Sequence, residues 1–89
     1  MQSSAAQTLA LNALIHIASD DQALARFLKI SGLEPEDLRQ RAGDPELLAA
    51  VMDFLLSDES LCTGFLAAKR IDPKMLHAAR RALPGTPED

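Results

Sequence analysis

The chain has 89 residues, 47% hydrophobic and 25% charged, with a formal net charge of −4 at pH 7. That length holds one domain without a second core, and the acidic balance disfavours nonspecific nucleic-acid binding. The single cysteine, Cys62, excludes an internal disulfide framework. The apolar run at residues 13–18, broken by His16, is too short to span a bilayer. The N-terminus lacks the cationic start of a secretory signal, so a reducing cytoplasm is the expected compartment, with no membrane partner.

Composition also sets the fold class. Tyr and Trp are absent, Phe occurs three times, and Leu and Ala dominate. These are helix formers, and residues that favour strands are scarce. The expected fold is all-α, a compact bundle of about six short helices in one domain over residues 1–85, with a disordered tail at 86–89.

In chain order, Ser4 with Gln7 forms a candidate capping box for a first helix reaching Ala18. Its polar residues, Thr8, Asn12, His16 and Ser19, fall in a narrow stripe at helical spacing that is expected to face solvent. Ser19 with Gln22 repeats the capping signature and opens a second helix, which Gly32 closes in the left-handed conformation. Glu34-Pro35 starts a short third helix ending at Gly43, since Pro at the first helical position sacrifices no hydrogen bond. Asp44-Pro45 caps a fourth, running to about Leu56 with Glu46, Asp53 and Ser57 as its polar edge. Ser57-Asp58 opens a fifth, and Asp72-Pro73 a sixth that ends at Pro84-Gly85. The first and fourth are apolar around most of their circumference, which marks them as the interior pair.

Laid over itself at an offset of 38 residues, the chain matches without a gap. Ser19-Asp20-Asp21 meets Ser57-Asp58-Glu59, Phe27-Leu28 meets Phe65-Leu66, and Leu33-Glu34-Pro35 meets Ile71-Asp72-Pro73. The expectation is two copies of a three-helix unit, too few for a free-standing solenoid and therefore closed on each other.

The stretches Leu9-Ala10-Leu11-Asn12, Phe27-Leu28, the run from Gly32 to Arg39, Asp53-Phe54-Leu55-Leu56 and Ala82-Leu83-Pro84-Gly85 carry a resemblance. Through them residues 5–85 resemble a small proteobacterial family of helical proteins, a domain of unknown function. It implies a bacterial helical fold and supplies no activity, cofactor or partner.

No catalytic constellation stands out. Cys62 with His16 or His77 as base is the nearest to a nucleophilic pair, but Cys62 stands beside Leu61 and one turn before Phe65, the setting of a buried core thiol. His16 and Asp20 have ligand spacing, yet a metal site would need more donors. The carboxylates gather at helix starts, where free N–H groups and the macrodipole favour negative charge. Residues 24–41 outline a helix-turn-helix, with Ala25, Gly32 and Leu38 at the usual places. Its second helix begins Glu34-Pro35-Glu36-Asp37, and those carboxylates repel phosphate. No cofactor or metal is expected.

Charge is unevenly spread. From Asp20 to Glu59 ten acidic residues face four basic ones, whereas from Ser60 to Leu83 five basic residues face Asp72 alone. Lys69, Arg70, Lys74, His77, Arg80 and Arg81 thus form a candidate partner-binding surface. The functional expectation is a non-enzymatic helical interaction module that binds a protein or itself. The alternative is a nucleic-acid-associated accessory protein using the basic sixth helix. A small cysteine-dependent enzyme is a distant third.

Overall fold

The computed structural model of the chain describes residues 2–84; the expected tail at 86–89 lies outside them. Six helices follow one another: α1 (Ser3–Ala18), α2 (Asp21–Ser31), α3 (Pro35–Gln40), α4 (Pro45–Ser57), α5 (Glu59–Lys69) and α6 (Pro73–Arg81). No strand occurs among the described residues. The Cα radius of gyration is 12.0 Å, close to the ~12 Å of a compact chain this long.

Carboxylates start most of these helices. Asp20 accepts hydrogen bonds from the backbone N–H groups of Gln22 and Ala23, Asp44 from Glu46, Asp58 from Leu61, and Asp72 from Lys74. Pro45 and Pro73 follow their caps as expected. The two capping boxes expected from serine do not form. Ser4 lies inside α1, whose N-cap Gln2 offers no side-chain bond. Ser19 turns its hydroxyl back to the carbonyl of His16 at 2.7 Å and leaves the α2 cap to Asp20. An ionised carboxylate is the stronger acceptor for free N–H groups at the positive end of a helix.

α6 stops at Arg81, short of the expected Pro84-Gly85. Pro disfavours helical geometry in the residue before it, and the Arg80 guanidinium satisfies the Pro84 carbonyl at 3.0 Å instead.

The core forms where α1 and α4 pack broadly against each other, with α6 lying across both. Ala6, Ala10, Ala13, Leu14 and Ile17 of α1 are buried against Leu48, Val51, Met52 and Leu55 of the same core. α2 and α5 flank the pair. α4 matches its expected interior role, with Glu46, Asp53 and Ser57 exposed. α1 departs from its own. Asn12 and His16, expected to be solvated, are half-buried, while Leu11 is 39% exposed and Ile15 60%. The small alanines of α1 let α4 and α6 approach on its inner side, and this rotates Leu11 and Ile15 outward.

Positions 38 apart agree closely through the first two helices of each half. Ala13 and Val51, Ile17 and Leu55, Ala23 and Leu61, Phe27 and Phe65, and Leu38 and Leu76 are all buried. Phe27 meets Phe54 with ring centroids 5.3 Å apart, and Phe65 meets His16, the counterpart of Phe54, also at 5.3 Å. Gly32 closes α2 at φ 74° and Arg70 closes α5 at φ 53°. At the third helix the agreement is limited to the buried Leu38 and Leu76. α6 lies on α1 and α4, whereas α3, six residues long, is anchored through Leu38 and makes no comparably broad contact.

Candidate functional site

The basic residues divide into two groups. Lys69 ends α5, Arg70 forms its C-cap, and Lys74, His77 and Arg81 follow at helical spacing along the outer side of α6; all five are exposed. None of the four Lys and Arg side chains among them pairs with a carboxylate of the described residues. Arg80 points elsewhere. Its Nε donates to Asp53 Oδ1 at 2.6 Å and its Nη2 to Asp53 Oδ2 at 3.2 Å, with the side chain only 11% exposed. Arg80 is therefore a clamp between α6 and α4 and leaves the candidate surface.

Arg70 adopts a left-handed backbone, φ 53° and ψ 51°, and is the only non-glycine with positive φ among the described residues. A side chain there meets the carbonyl oxygen that glycine avoids, at a cost of about 1–2 kcal/mol. The same turn bonds the N–H of Ile71 to the carbonyl of Leu66 at 3.0 Å, which fixes how α6 leaves α5. The basic corner is thus built on a strained residue where the other half carries Gly32.

The remaining chemistry-bearing residues do not assemble. Cys62 is half-buried rather than fully buried, and its thiol makes no hydrogen bond among the described residues. Burial first, and the Asp58 carboxylate second, push its pKa above the ordinary value, so the unreactive thiol form prevails at neutral pH. His16 stacks at a tilt on Phe65, and His77 stands on the exposed side of α6.

An open cleft of about 370 Å³ gathers His16, Asp20, Gln22, Arg26, Asp58 and Ser60. Its carboxylates are already engaged, Asp20 in capping α2 and Asp58 in capping α5 while pairing with Arg26 at 2.8 Å. The Leu61 N–H first, then the Arg26 guanidinium, hold the Asp58 carboxyl below its usual range. Arg26 also lies over the Phe54 ring, 5.6 Å from its centroid. Two carboxylates committed to helix caps provide no acid–base pair. No group of three or more His, Cys, Asp or Glu side chains is placed to hold a metal among the described residues.

The helix-turn-helix outline fails on packing. Ala25 is exposed, and α3 makes no broad contact with α2, whereas that motif needs its two helices locked together. Asp37 accepts the Glu34 N–H at 2.9 Å, which places a carboxylate at the very turn that would meet phosphate.

Sequence reasoning missed the Arg80 clamp and the outward side of α1. Asp53 was visible as a polar edge of α4, but nothing local tied it to a residue 27 positions away.

The molecule is thus a small all-helical domain with a basic corner and no assembled catalytic group among the described residues. Over residues 3–86 it matches the model of the family described as "Protein of unknown function (DUF3572)", and the chain belongs to that family. No curated protein and no solved structure matches it. No helix among the described residues is long and apolar enough to cross a membrane.

Proposed function

We propose that this protein is a non-enzymatic, cytoplasmic interaction module that offers its α5–α6 corner to an acidic protein surface. The observation that carries the reading is Arg70. A cation occupies a strained left-handed position that glycine fills in the other half, amid Lys69, Lys74 and Arg81, in a chain of net charge −4. Residues held in costly backbone conformations tend to be those that function requires.

An acidic protein suits this corner better than RNA. Single-stranded nucleic acid binds to cations interleaved with stacking aromatic rings. Here Phe27, Phe54 and Phe65 are all buried, and the chain has no Tyr or Trp. Attraction through solvent is screened beyond about 8 Å at physiological salt, so a partner must touch the cations directly.

The test reverses Lys74 and Arg81 to Glu. Exposed substitutions leave stability within about 0.5 kcal/mol, so the thermal midpoint should stay in place. Nuclease-treated host lysate should yield an acidic partner to the wild-type protein that the double variant no longer retains. Identical retention by both proteins would overturn the reading. Loss that depends on intact RNA would replace it with the nucleic-acid alternative.

A further inference from the structure

α1 presents two uncharged sides. Its inner side is consumed by the core, but Ser4, Thr8, Leu11, Ile15 and Ala18 recur at four- and three-residue steps along the outer side, and all five are exposed. That spacing is the seam of a helix prepared to pack against another helix. Among the described residues, the exposed large hydrophobic side chains are Leu11, Ile15, Ile30 and Met75. Two of these stand on the seam, and Met75, 46% exposed, stands beside it.

Grooves border the seam on both sides. One, of about 270 Å³, runs between α1 and the α3–α4 turn along Gln7, Leu11, Ala42 and Gly43. The other, of about 350 Å³, runs between α1 and the start of α6 along Ala5, Leu9, Ile71 and Met75. Thr8 lines both and so marks the ridge between them. No residue lining either groove is charged, although a quarter of the chain is. α1 itself contains no Asp, Glu, Lys or Arg.

We propose that the outer side of α1 is a self-association surface, on which a second copy of this chain packs about a two-fold axis. A ridge with a groove on each side is complementary to its own rotated image: each ridge enters the other copy's groove, as an isologous contact requires. The absence of charge removes the repulsion that two acidic copies would otherwise meet, and depletion of charge marks the centre of protein interfaces. The occupant follows from these two features together. A partner of opposite charge would find nothing here to pair with.

The extent of the surface sets the strength of the contact. α1 has 16 residues and is therefore about 24 Å long. With a helix spacing of about 10 Å on each side, the contact covers roughly 500 Å² per copy, at the lower edge of specific interfaces. The dimer is accordingly weak and concentration-dependent.

Sedimentation equilibrium over a range of protein concentration tests the proposal. The wild-type chain should shift from monomer to dimer as concentration rises. Ile15→Glu should weaken that association at least about tenfold, because a charge buried in an apolar contact is left uncompensated. Thr8→Glu, at a position exposed in the monomer, serves as a second variant, and circular dichroism confirms that each remains helical. Equimolar Thr8→Glu/Ile15→Glu and Thr8→Lys/Ile15→Lys chains should associate with each other when neither does alone. Association should also survive 0.5 M salt (roughly 4 Å of screening) and the Lys74→Glu/Arg81→Glu reversal, which separates it from the basic corner. A wild-type chain that stays monomeric at about 1 mM, where even a −4 kcal/mol contact is half-formed, overturns the proposal. So does dimerisation that persists in folded Glu variants.

Discussion

Replacing Arg70 with glycine should make the protein more stable. Arg70 closes α5 at φ 53° and ψ 51°, where a side chain costs about 1–2 kcal/mol against the following carbonyl. Glycine removes that cost but gains freedom in the unfolded chain worth about 0.5–1 kcal/mol. The balance favours Arg70→Gly by about 0.5–1 kcal/mol, and in a domain of this size that raises the midpoint by roughly 2–8 °C. The mirror experiment is Gly32→Ala. A Cβ at Gly32 would find nothing within 4 Å, so its cost of about 1 kcal/mol reports the backbone alone. Thermal and urea unfolding followed by circular dichroism measure both variants. The same Arg70→Gly chain should bind an acidic partner less well, a trade of function against stability. An unchanged or lowered midpoint for Arg70→Gly, with Gly32→Ala behaving as stated, would refute the idea that a strained cation is maintained at this corner.

Further outcomes follow from the ion pairs and the thiol. Arg80→Met should destabilise by about 1–2 kcal/mol because it breaks a two-pronged bond to Asp53 and the bond to Pro84, whereas Arg81→Met should change the urea midpoint negligibly. Asp44 is held low first by the Glu46 N–H and then by Arg41, and Asp58 first by the Leu61 N–H and then by Arg26. A carboxyl lowered on folding stabilises above its unfolded value, 3.8 for both, and loses that contribution as pH falls through the folded value. Stability should thus hold level from neutrality to about pH 5 and decline through the range below pH 4, with a shallower decline for Asp58→Asn. Cys62 should react slowly with a thiol reagent at pH 7, and its labelling rate should still be climbing at pH 9.0, the ordinary thiol value that burial and Asp58 push it beyond.

What the sequence discloses about this fold is local. Asp-Pro at 44–45 and 72–73, Glu-Pro at 34–35 and Gly32 each act within one turn of chain, so they mark helix ends without any tertiary knowledge. The interior role of α4 was legible because its polar residues, Glu46, Asp53 and Ser57, leave one direction open to solvent. α1 offered no such guide. With Leu11, Ile15 and Leu14 spread around it, periodicity could not say which apolar side would be covered, and of its polar residues Thr8 and Ser19 face solvent while Asn12 and His16 are half-buried. The candidate site was legible in composition and not in direction. Lys69, Arg70, Lys74, His77 and Arg81 are exposed, but Arg80, indistinguishable from Arg81 by type, lies on the flank of α6 that faces Asp53. Only packing decides between neighbours on a helix.

The two halves explain each other where they differ. Position 15 in α1 corresponds to position 53 in α4, and Ala42 corresponds to Arg80. In the second half, Ala49, Asp53, Arg80 and Pro84 line one cleft; Ala49 is 5% exposed, and the guanidinium draws the end of α6 onto α4. The first half has no such clamp. Ala42 cannot reach across, α3 is too short to spread over α1, and Leu11, the counterpart of Ala49, joins Ile15 in facing outward. On the two-copy reading, the exposed seam of α1 is the face that a longer third helix would cover within its own chain. Substituting Ile15 with Asp and Ala42 with Arg should therefore rebuild the clamp in the first half. That double variant should be monomeric and no less stable than Ile15→Asp alone, with a coupling between the two sites of about 0.5–1 kcal/mol in a double-mutant cycle. A coupling of zero would mean that the correspondence of the two faces ends at burial and does not extend to their geometry.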